Sequence, residues 1–77
     1  MILRNKLIKE TLNISYSKFR KRFARELQVA FESYSQTQLS KYSYKIKDSD
    51  SIEQDFYFDL QWNFNHFCNS NWYIERM

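Results

Sequence analysis

No glycine and no proline occurs anywhere in this chain of 77 residues. Average usage would place about nine such residues in a chain of this length. Glycine-rich loops that hold phosphate groups need backbone conformations and close approaches that only glycine permits. The sequence therefore excludes every function that depends on a loop of this kind.

The length indicates one small domain over residues 1–77, because a chain this short buries only about 60% of the surface that it exposes when unfolded. Its longest unbroken apolar runs are three residues, such as Val29–Phe31, whereas a membrane-spanning helix needs about 20. We therefore expect a soluble protein that does not enter a membrane. The single cysteine, Cys68, excludes an internal disulfide and is compatible with a reducing, cytoplasmic location.

The charges are unevenly spread along the chain. Residues 1–47 contain eleven Lys or Arg and three Glu, a sum of +8, and residues 48–77 contain six Asp or Glu and one Arg, a sum of −5. This polarity predicts a basic surface that binds a polyanion and a separate acidic surface. The alternative is that the two halves neutralise each other in the folded protein.

Few residues suggest catalysis, a metal or another cofactor, and we expect none of the three. The only histidine, His66, lies two residues from Cys68. A structural cysteine beside a solvent-edge histidine explains this pair better than an activated thiolate or half of a zinc site. The cluster Asp48, Asp50, Glu53 and Asp55 lacks the central glycine and the final glutamate of a calcium-binding loop, and it indicates a solvated loop.

The first half of the chain has helical periodicity. Residues 2–12 place leucines on one side and predict a short helix, and Asn13–Ser15 predict a turn in which Ser15 caps the next helix. Residues 16–38 predict a long amphipathic helix, and without glycine or proline the sequence does not show whether it is continuous. Its apolar stripe comprises Tyr16, Phe19, Phe23, Leu27, Ala30, Phe31 and Tyr34.

After Leu39 the period changes to two, which is typical of strands. Alternation over residues 42–47 and 56–65 predicts two strands, and Trp72–Glu75 predict a third. The expected fold is α+β, with two N-terminal helices packed on one face of a small antiparallel sheet of two or three strands. Residues 1–39 would then be helical and basic, and residues 40–77 a β hairpin or meander that is acidic.

Residues 8–23 predict a helix-turn-helix, with a first helix ending at Leu12 and a second held by Phe19 and Phe23. The segment ISYSKFRKRF at residues 14–23, with Val29 and Tyr34 downstream, resembles the helix-turn-helix of AraC-type transcription factors, and the resemblance covers about residues 8–34. The resemblance implies that the outer face of the second helix contacts DNA and that the following strand pair acts as a wing. The residues predicted to bind nucleic acid are Ser17, Lys18, Lys21, Arg22, Arg25, Lys45 and Lys47.

These features favour a small, non-enzymatic protein that binds double-stranded DNA, such as a transcriptional regulator, with a homodimer as one form. The alternative is an interaction protein that docks on a larger protein or nucleoprotein, for example an inhibitor from a phage or mobile element. An acidic segment attracts basic partners, and aromatic residues are enriched at interfaces. The interface residues predicted for this alternative are Asp48, Asp50, Asp55, Asp59, Trp72 and Tyr73.

Overall fold

The computed structural model describes the backbone of residues 1–41 and 49–77, and the side chains of residues 1–38 and 50–77. The described part contains strands at both ends and helices between them. In chain order the elements are β1 (Ile2–Asn5), β2 (Thr11–Asn13), α1 (Tyr16–Arg22), α2 (Ala24–Lys41), α3 (Ser49–Phe58), α4 (Leu60–Phe67) and β3 (Trp72–Arg76).

The three strands form an antiparallel sheet in the order β2-β1-β3, in which Leu3 of the central strand lies opposite both Leu12 and Ile74. The helix predicted over residues 2–12 is therefore wrong. Leu3 is fully buried at the centre of the sheet, whereas Leu7, which the helical pattern placed on the same apolar side, is 74% exposed. The Asn5 side chain accepts hydrogen bonds from the backbone N–H groups of Leu7 and Ile8, which turns the chain without a glycine.

Helix formation after Ser15 agrees with the sequence, and the predicted cap is confirmed. The Ser15 hydroxyl accepts a hydrogen bond from the Lys18 N–H. The long helix is interrupted at Phe23, whose φ of −106° and ψ of 28° separate α1 from α2. The Phe23 N–H still donates to the Phe19 carbonyl at 2.9 Å, so helical hydrogen bonding continues up to the interruption. Most of the predicted stripe is buried: Phe19, Phe23, Leu27, Ala30 and Tyr34.

The strand predicted over residues 56–65 is wrong, because these residues belong to α3 and α4. The apolar positions alternate, but only every second one, and hence every fourth residue, is buried: Ile52, Phe56, Leu60 and Phe64. The apolar residues between them, Phe58 and Trp62, are exposed. A four-residue repeat satisfies helical spacing as well as alternation, and packing of α3 and α4 against α2 favours the helix.

The predicted third strand is confirmed as β3, and the strand predicted over residues 42–47 lies outside the described residues. The fold is α+β, but the expected arrangement is wrong: the sheet joins the two ends of the chain, and the helices lie between them in sequence. The first helix of the helix-turn-helix predicted over residues 8–23 is also wrong, because residues Thr11–Asn13 form strand β2.

One hydrophobic core joins the sheet to the helices. Leu3 and Ile74 from the sheet belong to the same core cluster as buried residues of the described helices. Phe19, Phe56 and Phe64 are the largest of the fully buried side chains. Over the described residues, no helix combines the length and apolar character that crossing a membrane requires.

Candidate nucleic-acid interface

Two phenylalanines fix the orientation of α1. The Phe19 ring packs against Phe23 and Phe64, with centroids 5.2 Å and 5.3 Å away, and Phe23 also meets the edge of Trp72 at 6.1 Å. These contacts attach α1 to α4 and to the start of β3. Because a helix has 3.6 residues per turn, fixing Phe19 inward directs the residues two positions on either side of it outward.

The outward side of α1 is polar and basic. Ser17, Lys18, Lys21 and Arg22 are all exposed, and so is Arg25 in the first turn of α2. The Arg22 guanidinium lies 5.9 Å from the centroid of the Phe23 ring, which holds it beside the helix. We call these five residues the basic face. The structure thus brings together the predicted nucleic-acid residues of this region.

Arg20 is separate from the basic face because α3 engages it. Its guanidinium lies 4.6 Å from the centroid of the Tyr57 ring and donates a hydrogen bond to the Tyr57 hydroxyl at 3.2 Å. Burial raises the pKa of the Tyr57 phenol, and the positive charge of Arg20 partly offsets this rise. Arg20 therefore joins α1 to α3.

The cations of the basic face have no acidic partner within the described residues. The ion pair found in that part of the chain joins Arg4 of β1 to Glu75 of β3. The acidic residues of α3 do not pair with Lys18, Lys21, Arg22 or Arg25. Within the part of the chain that the structure describes, these four cations therefore form no direct ion pair with the acidic half.

The other predicted site residues are dispersed. Lys45, Lys47 and Asp48 lie outside the described residues. Asp50 and Asp55 are exposed on α3, and Asp59 is exposed where α3 meets α4. Trp72 and Tyr73 are half-buried on β3, which pairs with β1 and packs on α4. The predicted protein interface is thus divided between α3 and β3.

His66 and Cys68 lie at the end of a helix, not on the strand where the sequence placed them. His66 is exposed, and its ring lies edge-on to Trp62 with the centroids 4.1 Å apart. Cys68 follows the last residue of α4 and packs against the core. Burial raises the pKa of the Cys68 thiol. A raised pKa disfavours the thiolate, so this cysteine is a poor nucleophile at neutral pH.

A shallow depression of about 450 Å³ adjoins the basic face at Arg25. Its floor and rim include Val29 and Trp72 as well as the polar loop Asn69–Asn71. Glu26 also lines the depression and opposes the charge of Arg25. The electrostatic attraction for an anion therefore comes from the exposed cations of the basic face and not from this depression.

Sequence reasoning missed two exposed aromatic residues. Phe58 is 94% exposed and Trp62 is 52% exposed, although strand alternation placed both on a buried face. A four-residue period separates them from Phe56, Leu60 and Phe64, but the same segment also fits alternation, so the sequence alone does not choose between the two.

Comparison with known proteins finds no matching family model, no matching curated protein and no matching solved structure. The function is therefore argued from the residues of this chain.

Proposed function

We propose that this protein binds duplex DNA through the basic face, without catalysing a reaction. The observation that carries the proposal is the cluster of four exposed cations, Lys18, Lys21, Arg22 and Arg25, which have no ion pair within the described residues. An unpaired cationic surface on a small domain attracts the phosphates of nucleic acid and releases their counterions on binding.

The arrangement of the basic face fits phosphate contacts better than extensive base contacts. Lysine and arginine side chains donate to phosphate oxygens and position a protein on the duplex, and the Ser17 hydroxyl is a further donor of this kind. The seven residues of α1 span only about 10 Å, so few side chains reach base edges. Affinity would come mainly from contacts with the phosphate backbone of the DNA. A regulator that binds in this way occupies DNA with modest sequence preference.

The acidic helix α3 orients the protein on DNA. Asp50 and Glu53 lie in its first half, beside the Arg20–Tyr57 contact that joins it to α1. A phosphate backbone is repelled by these carboxylates and attracted by the basic face. Repulsion by α3 and attraction by the basic face together favour an approach in which α1 faces the duplex.

Charge reversal on the basic face tests the proposal. The double variant Lys21→Glu with Arg22→Glu replaces two attractive charges with two repulsive ones at exposed positions. We expect its affinity for a fluorescently labelled random duplex to fall at least about tenfold at low salt, because each lost phosphate contact removes a counterion-release contribution. Fluorescence anisotropy measures the binding.

The matched control is Lys6→Glu with Lys9→Glu, which changes the net charge equally in the exposed loop between β1 and β2. This variant is expected to retain most of the affinity. Circular dichroism checks that both variants keep the helical content of the parent. Equal losses in the two folded variants would show that net charge, and not the basic face, drives the binding.

A further inference from the structure

Two aromatic side chains are exposed where α3 meets α4. Phe58 is the last residue of α3, and Trp62 lies in the first turn of α4. Their neighbours Phe56, Leu60 and Phe64 are almost completely buried. Two exposed aromatic residues four positions apart mark this junction as a candidate interaction surface, because large apolar side chains are ordinarily removed from water on folding.

The junction that presents these side chains is held in place from inside. The buried Asn63 side chain donates a hydrogen bond to the Phe56 carbonyl at 2.9 Å, and the Asn63 N–H donates to the Asp59 carbonyl at 2.9 Å. On the surface, the Trp62 ring packs against the His66 ring. Phe58 and Trp62 therefore project from a fixed corner, which lowers the entropic cost of binding.

Among the described residues, the charged side chain at the junction itself is acidic. Asp59 lies between the two aromatic residues in sequence, and its side chain forms no capping hydrogen bond with α4 and no ion pair within the described residues. Asp55 is exposed one turn earlier on α3. No lysine or arginine occurs between Asp48 and Glu75 in the sequence. We call Phe58, Asp59 and Trp62 the acidic aromatic corner.

We propose that the acidic aromatic corner binds a basic segment of another protein, in which arginine or lysine side chains alternate with apolar ones. The Asp59 carboxylate pairs with a cationic group, and the indole face of Trp62 attracts a guanidinium or ammonium group. Phe58 supplies apolar area for aliphatic stems and apolar neighbours. A nucleic acid is the wrong ligand here, since the Asp59 carboxylate repels phosphates.

A second copy of this chain fits the corner less well than a separate partner. Its basic face would have to dock on the acidic aromatic corner of the first copy, and these are different surfaces of the molecule. A head-to-tail contact of this kind leaves both surfaces free at the ends and propagates into open chains unless the rotation closes a ring. The expected occupant is therefore a different protein.

Neutral truncation of the aromatic pair tests the proposal. The variant Phe58→Ala with Trp62→Ala leaves the net charge unchanged, so a loss of binding reports on the aromatic contacts and not on general attraction. The probe is a fluorescently labelled peptide of alternating arginine and leucine, with an alternating glutamate and leucine peptide as its counterpart. We expect the basic peptide to bind the parent protein, and the variant to bind it at least about tenfold more weakly.

The matched control is Leu7→Ala with Ile8→Ala, which removes two exposed apolar side chains from the loop between β1 and β2 and is expected to bind like the parent. Absence of peptide binding by the parent, binding of both peptides alike, or unchanged affinity in the Phe58 and Trp62 variant would overturn the proposal. Sedimentation that shows assembly of the parent alone, abolished by the same variant, would identify a second copy as the occupant and would also overturn it. None of these outcomes depends on DNA binding.

Discussion

At the scale of single residues, Asn63 is the clearest case of a polar side chain that supports the fold. It is 9% exposed and is the only buried polar residue among the described side chains. Its amide donates to the Phe56 carbonyl, one of the carbonyls near the end of α3 that have no partner within their own helix. Asn63 therefore compensates for the interruption between α3 and α4.

We predict that Asn63→Ala lowers the free energy of unfolding by about 1–3 kcal/mol, because the Phe56 carbonyl is left buried without a partner. Urea denaturation followed by circular dichroism measures the change. The exposed Asn69→Ala serves as the control, with an expected change within about 0.5 kcal/mol. Equal losses of unfolding free energy in the two variants would mean that the hydrogen bond of the Asn63 amide does not stabilise the α3–α4 junction.

Cys68 gives a prediction about pH. Since burial raises the pKa of its thiol in the folded state, the folded protein disfavours the thiolate. Burial of the neutral thiol contributes fully to the stability of the folded protein at pH values below the pKa of the unfolded thiol. This contribution is lost as the pH rises through the higher pKa of the folded thiol. The rate of alkylation by iodoacetamide should rise with pH at a higher midpoint in the folded protein than in urea. Coincident midpoints would contradict this assignment.

Residue-level features with a local cause were predictable. Ser15 was expected to cap a helix because its position precedes a periodic apolar segment, and it does so. The burial of Phe19 and Phe23 also follows from local spacing. The bond between Asn63 and Phe56 was not predictable, because nothing in the sequence distinguishes this asparagine from its exposed neighbours.

At the scale of elements, β3 depends on side chains of α4. The Asn65 amide donates to the Ile74 carbonyl at 2.8 Å, and the Asn65 side-chain oxygen accepts from the Ile74 N–H at 2.7 Å. Gln61 donates to the Glu75 carbonyl at 3.1 Å. These bonds satisfy the edge of the sheet where another strand would otherwise pair.

We predict that Asn65→Ala increases the hydrogen-exchange rate of the Ile74 amide by about tenfold or more, because its acceptor is removed. Gln61→Ala is the matched control, since Gln61 donates to carbonyls and leaves the Ile74 N–H bond in place. Exchange measured by nuclear magnetic resonance distinguishes the two. Similar exchange of Ile74 in both variants would show that Asn65 does not protect the edge.

Element types were predictable only where one period fits the pattern. The stripe of α1 and α2 has helical spacing alone, and the helix predicted over residues 16–38 covers most of both, but the sequence did not locate the break at Phe23. Residues 56–65 fit alternation and a four-residue repeat together, so local patterning could not separate strand from helix. Strand β1 was missed because the leucines of residues 2–12 also fit a helical period, and because one of its two partners, β3, lies at the other end of the chain.

At the scale of the whole molecule, the ends of the chain meet in the sheet, with β1 between β2 and β3. A domain of this length has a stability of about 4–12 kcal/mol, so the contacts of Leu3 and Ile74 with the helices matter to the entire fold. The described cations of the basic face were predictable, because they depend on the helical spacing around Phe19. The acidic aromatic corner was not, because it required the correct element type for Phe58 and Trp62.

The salt dependence of DNA binding by the parent protein tests the central claim most directly. Anisotropy of a labelled random duplex would be measured from about 50 to 200 mM salt. Four cations that neutralise phosphates predict submicromolar binding at the lowest salt and a slope of log affinity against log salt of about −3 to −4. Absence of binding at low salt, or a slope near zero, would contradict the assignment of the basic face to nucleic acid.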